Sequence, residues 1–150
     1  MIKSIYEEEF QITDITRYID LDEIKDDIVI IKINKSYTPN MSALELYDIT
    51  RGCWKRRIDS VSSAKYALAT VYGEVVEVYK IDYWLPSPAL NRETIPYDAE
   101  VEKRRIGFFG SVAEQKVREK YIGKSVKNFF KKGEANPVKL IKTEKIGEIR

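Results

Sequence analysis

Between Ala64 and Trp84 the chain reads AKYALATVYGEVVEVYKIDYW, a run of aromatic and β-branched residues broken only at Gly73 and Glu74 and followed by prolines. That density of strand formers, interrupted once by a residue that accepts positive φ, predicts two long strands joined by a tight turn. With Gly73 in the first central position of a type II′ turn, Tyr72 faces Val75, Thr70 faces Glu77, Leu68 faces Tyr79 and Tyr66 faces Ile81. Ala67, Ala69, Val71, Val76 and Val78 then gather on the opposite side. Both sides are largely apolar. Such a hairpin belongs inside a domain, covered on each flank or wrapped into a small barrel.

The rest of the pattern supplies the flanks. IVIIKIN, from Ile28 to Asn34, has the length and β-branched content of a buried strand. After a turn from Tyr37 to Asn40, the apolar positions Met41, Leu44, Leu46, Tyr47 and Ile49 predict an amphipathic helix ending near Gly52. Leu85 to Glu100 holds three prolines and little periodicity, which predicts a long surface loop. Arg104 to Phe109 reads as a short strand. Ser111 and Glu114 have the spacing of a capping box ahead of a helix whose face is Ala113, Val117 and Tyr121. Gly123 breaks that helix, and Lys124 to Lys132 predicts a second one with Val126, Phe129 and Phe130 inward. Val138 to Ile141 is a last strand. Ile12, Ile15 and Ile19, with Asp20 and Glu23 as a start signal, predict one or two short acidic helices near the N-terminus.

About five strands with two or three inserted helices, not in regular alternation, predict an α+β fold built on a small mixed β-barrel. An acidic N-terminal arm occupies residues 1–27, and residues 28–150 form a single domain.

Charge sharpens that division. Three basic and nine acidic residues lie before Ile28, a net −6, whereas the remainder carries 23 basic and 15 acidic residues, a net +8. Such asymmetry points to a polyanion as the partner of the basic part, with the acidic arm shielding it, contacting a protein or a second copy, or keeping the N-terminus solvated. There is no histidine and one cysteine, Cys53, so neither a zinc site nor a disulfide is expected. No cofactor and no metal are expected. No apolar run nears the ~18 residues of a membrane span and no cleavable signal opens the chain, so the expectation is a soluble cytoplasmic protein without membrane contact.

The order of elements, with RGCWKRR at Arg51 to Arg57, VYKIDYWLP at Val78 to Pro86 and RIGFFG at Arg105 to Gly110, resembles the PUA-like superfamily across Ile28 to Ile141. Its ASCH, EVE, YTH and SRA members bind RNA or modified bases. The spans Glu45 to Trp54 and Tyr66 to Tyr79 are also similar to small prokaryotic proteins of restriction and defence neighbourhoods. The resemblance implies an aromatic pocket that stacks a flipped or modified base, for which Trp54, Trp84 and Phe108 are the candidates. Arg51, Lys55, Arg56, Arg57, Arg104, Arg105, Lys124, Lys127, Lys131 and Lys132 are the candidates for phosphate contacts.

Catalytic patterns are incomplete. Tyr121 to Gly123 copies half of a GIY-YIG signature without its partner residues, and Gly123, Lys124 and Ser125 lack the upstream glycine of a phosphate loop. Glu23 with Lys25 and Glu102 with Lys103 do not have the spacing and setting of a metal-dependent nuclease. No catalytic residue is assigned. The expected function is a non-catalytic nucleic-acid-binding module, DNA or RNA, in a defence or restriction setting. The alternative is a protein-interaction adaptor or inhibitor that works through the acidic arm and binds no nucleic acid.

Overall fold

The computed structural model describes residues 17–149. Five strands, β1 (Ile28–Lys32), β2 (Tyr66–Val71), β3 (Glu74–Pro86), β4 (Ile106–Val112) and β5 (Val138–Ile141), form one sheet in the order β4-β3-β2-β1-β5. The sheet is open, ending on β4 at one side and β5 at the other, and the architecture is mixed α+β.

β1 runs parallel to β2 and antiparallel to β5, while the β2–β3 and β3–β4 pairs are antiparallel. A parallel neighbour cannot be reached through a tight turn, so residues 33–65 form a crossover that carries α1 (Ala43–Arg51) over one face. Ser42 starts that helix. Its hydroxyl accepts from the Glu45 amide at 3.1 Å and the Glu45 carboxylate accepts from the Ser42 amide at 2.9 Å, a reciprocal cap.

Alternation along β1 feeds two cores. Ile28 and Ile30 pack with Tyr66, Leu68, Val75 and Val78 under Ile19, Ile24, Val117, Tyr121, Phe129 and Ile146. Val29 and Ile31 pack with Ala67, Ala69, Tyr79, Trp84, Ile106 and Phe108 under α1 and the segment around Val61. The expected double-sided cover of the hairpin is present.

Its register differs from the expectation. Tyr72 and Gly73 both have positive φ, 47° and 87°, and form the two-residue turn themselves, as a type I′ turn requires. Val71 consequently faces Glu74 and Thr70 faces Val75; Val76 is then an extra residue ahead of the Ala69–Glu77 pair, which puts Leu68 opposite Val78 and Tyr66 opposite Lys80. The displaced turn moves the pairing by two residues and keeps the faces; the extra residue exchanges them, so Val78 joins Leu68 in one core while Tyr79 joins Ala67 and Ala69 in the other.

Two helix expectations also change. Ser111 lies in β4, paired with Lys80, so it caps nothing; the next helix, α3 (Gln115–Tyr121), begins after Glu114. Lys124 to Lys132 forms only a 3-10 turn over Lys127–Phe129. The hairpin takes the backbone groups an α-helix would need: the Val126 amide donates to the Gly73 carbonyl at 2.9 Å, the Lys124 carbonyl accepts from Val75 at 3.0 Å and the Gly123 amide donates to the Val75 carbonyl at 2.8 Å.

The long loop after β3 is anchored from below. It contains a 3-10 turn (Ser87–Ala89), the buried Leu90 and α2 (Ala99–Glu102). Buried Asp48 of α1 accepts from the Thr94 amide at 2.9 Å and its hydroxyl at 2.8 Å, while Glu102 accepts from the Ser87 hydroxyl at 3.0 Å. At the N-terminal side, Ile19 and Ile24, expected in a separate arm, are buried in the first core, and the 3-10 turn Leu21–Glu23 lies between them with Asp20 as its cap. Ile12, Ile15 and the glutamates at 7–9 lie outside the described residues.

Candidate functional site

The three candidate rings separate. Phe108 is fully enclosed, and Trp84 is 8% exposed with its ring 5.3 Å from Phe108, edge to face. They pair across β3 and β4 and extend an aromatic core through Tyr79 and Tyr47. They are packing residues, and no base can reach them. Sequence patterning left this open because a strand-borne tryptophan beside charged neighbours looks the same whether its face meets solvent or α1.

Trp54 is half-buried. Its indole N–H donates to the Thr50 carbonyl at 2.9 Å, and its backbone bridges to Ile106 with bonds of 2.9 and 3.0 Å. One edge lines a concavity of about 400 Å³ with Lys32, Asn34, Lys35 and Pro137.

Among the cations, Arg51 is withdrawn from solvent. It is 3% exposed, its Nε donates to Asp48 Oδ1 at 2.8 Å, and its guanidinium lies 4.6 Å from the Tyr47 ring and 5.0 Å from that of Phe109. Burial alone would raise the Asp48 carboxyl, but bonds from Thr94 and Arg51 and the Arg51 charge outweigh it and hold the carboxyl below its ordinary range. This is a structural ion pair with no opening toward a phosphate.

Lys55, Arg56, Arg57 and Arg104 do converge. With Ser60 they line a concavity of about 500 Å³, although Arg104 is 47 residues along the chain from Arg57. Arg56 is steered there by bonds to Ser60 Oγ at 3.3 Å and to the Val138 carbonyl of β5. Arg104 sits in the turn before β4 with φ of +62°, a conformation that costs about 1–2 kcal/mol for a side chain with a Cβ. Arg57 also pairs with exposed Asp59 at 3.1 Å. Arg105, half-buried behind Arg104, contributes its backbone to the loop through Ser87.

A second group assembles at the hairpin tip. Lys32, Lys127, Lys131 and Lys132 line a concavity of about 400 Å³ with Tyr72, Gly73, Asn34 and Phe130. Lys32 Nζ lies 4.0 Å over the Phe130 ring, and Lys139 Nζ is 5.0 Å from the same ring while pairing with Glu134 at 3.0 Å. The hydrogen bond from Lys139 keeps the Glu134 carboxyl below its ordinary range, with a further one from the Lys131 amide. Lys124 is not among the residues that line this space; its backbone is tied to β3 instead.

This second concavity and the one beside Trp54 share Lys32 and Asn34 in their walls, so the two lie side by side. Phe130 and Lys131 also line a neighbouring recess bordered by Lys139, Lys142 and Lys145, where Glu148 pairs with Lys145 at 3.6 Å. Among the described residues, no carboxylate lines the hairpin-tip concavity, the Trp54 concavity or the Lys55–Arg104 concavity. Clustered cations around aromatic surface attract polyanions.

Sequence reasoning missed Lys32, Tyr72 and Phe130 as site residues. Lys32 looked like the polar break in a buried strand and Phe130 like a core residue of a helix that does not form. For Tyr72 a signal existed: a tyrosine before Gly73 stands where a type I′ turn favours asparagine or aspartate.

Among the described residues no group of three or more His, Cys, Asp or Glu side chains could hold a metal ion, and no helix is long and apolar enough to cross a membrane. No family model, no curated protein and no solved structure matches this chain.

Proposed function

We propose that this protein is a nucleic-acid-binding module without catalytic machinery, and that its polyanion lies along the two neighbouring concavities from Lys35 and Trp54 to the hairpin tip. The reading includes the PUA-like scaffold that the sequence resembles and a defence or restriction setting; a mixed five-stranded sheet with helices inserted after β1 and β4 is compatible with that scaffold. One observation carries the proposal: lysines from β1 and from the segment after α3 meet around the hairpin-tip concavity, which holds aromatic surface and, among the described residues, is lined by no carboxylate. Solvated surface lysines normally alternate with acids, and among the described residues no acid lines this concavity.

Fluorescence anisotropy with labelled 20-nucleotide DNA and RNA between 50 and 300 mM salt tests it, since each phosphate contact adds roughly 0.7–0.9 to the slope of log K against log salt. Binding that weakens steeply with salt is expected, and the Lys127→Gln, Lys131→Gln double variant lowers the slope by about 1.5. Absence of saturable binding at the lowest salt, or a double variant with an unchanged slope, rejects the proposal.

A further inference from the structure

Tyr72 is an anomaly in the fold. Its backbone is in the left-handed region, with φ of +47°, where glycine and asparagine are at ease and an aromatic residue is strained. That strain gains no core packing, because the residue is 75% exposed at the end of the β2–β3 hairpin. It is nevertheless firmly placed: the Tyr72 amide donates to Asn34 Oδ1 at 2.8 Å, which ties the turn to the segment just after β1. Beside it, the Lys127 stem runs against Gly73, so close that a Cβ on Gly73 would lie 2.8 Å from Lys127 Cγ and Cε. The exposed Tyr72 and the Lys127 side chain thus line the same recess, with the lysine stem seated on the turn.

Backbone strain retained at an exposed side chain marks function more often than packing. A ring on a protruding turn offers a face on which a planar ligand can stack, next to a cation that suits a phosphate. In a duplex both faces of every base are covered by neighbours, whereas an unpaired base has a face free. Resting on the proposed nucleic-acid function, we infer that the ligand is a single strand, with one unpaired base stacked on Tyr72 and the adjoining phosphate held by Lys127.

Tyr72→Asn separates this role from folding, because asparagine suits the turn and the variant folds at least as stably as the wild type. The full chain is titrated with labelled dT20, rU20 and a 20-base-pair duplex at one salt concentration. Expected are tighter binding of at least one single strand than of the duplex, a loss of single-strand affinity of about 5- to 150-fold in Tyr72→Asn, and near wild-type affinity in Tyr72→Trp. The salt slope of Tyr72→Asn stays that of the wild type, since no charge is removed. Single-strand affinity unchanged in Tyr72→Asn, or a duplex bound as tightly as both strands, overturns the inference. If Tyr72→Asn has no effect while the lysine double variant lowers the salt slope, the electrostatic function stands and the stacking role falls. If no probe binds, both fall.

Discussion

The side chain of Lys127 lies across Gly73, leaving no room for a methyl group between them. This contact joins the tightest turn of the sheet to the basic segment after α3, and it explains why a residue far along the chain is presented at the hairpin tip. Gly73→Ala therefore carries two penalties, a positive φ of 87° and a contact of 2.8 Å. A destabilisation of about 1–2 kcal/mol is expected from urea unfolding. Lys127→Ala in the same background recovers the steric part, so the double variant should be less destabilised than the two single effects predict together. Additive effects would show that the stem does not rest on the turn in solution.

Asp48 and Arg51 hold α1 to the long loop. Asp48→Ala leaves the buried Arg51 guanidinium and the Thr94 donors without their acceptor, and should cost about 3–5 kcal/mol, read by thermal or urea denaturation. Limited proteolysis should then cut first between Leu90 and Tyr97, where the loop has lost its anchor.

The same carboxyl sets an acid limit. Its folded pKa lies below the ordinary 3.8, so its contribution to stability is complete above that value and is lost as pH falls through the folded one. Stability of the wild type should decline below about pH 4 more steeply than that of Asp48→Asn, by no more than ~1.4 kcal/mol per pH unit for this single group. Parallel pH profiles of the two proteins would rule the carboxyl out as the source.

Arg104 offers a charge that can be removed without loss of fold. Its φ of +62° favours glycine, so Arg104→Gly should leave stability within about 0.5–1 kcal/mol of the wild type or raise it. If the Lys55–Arg104 concavity also meets phosphate, the salt slope falls by about 1 in that variant; an unchanged slope confines the interface to the recess at the hairpin tip.

Much of the scaffold was legible. IVIIK could only be a buried strand, the apolar spacing around Leu46 and Tyr47 marked α1, and the turn residues before Val138 delimited β5. Boundaries failed where a distant partner decided them. Ser111 was read as a cap but is held in β4 by Lys80, and the Lys124 to Lys132 helix is cut short by hydrogen bonds to Gly73 and Val75. Neither partner can be deduced from local composition.

The candidate site shows the same division. Uneven charge along the chain was visible without coordinates, and so were the basic segments around Arg56 and Lys131. Which rings would be open was not: Trp84 and Phe108 are closed within the second core, while Tyr72, read as the partner of Val75, and Phe130, read as inward-facing, line the recess.

By itself, then, the order of residues determined the elements, their approximate extents and the segregation of acidic from basic residues, because these follow from periodicity and composition within a short window. Only the tertiary structure decided the hairpin register, the faces that meet solvent and the meeting of Lys32, Tyr72 and Lys127 around one opening. The physical reason is that one extra residue in a strand, as at Val76, reverses every side chain beyond it, and the balance between such arrangements is set by packing against segments dozens of residues away.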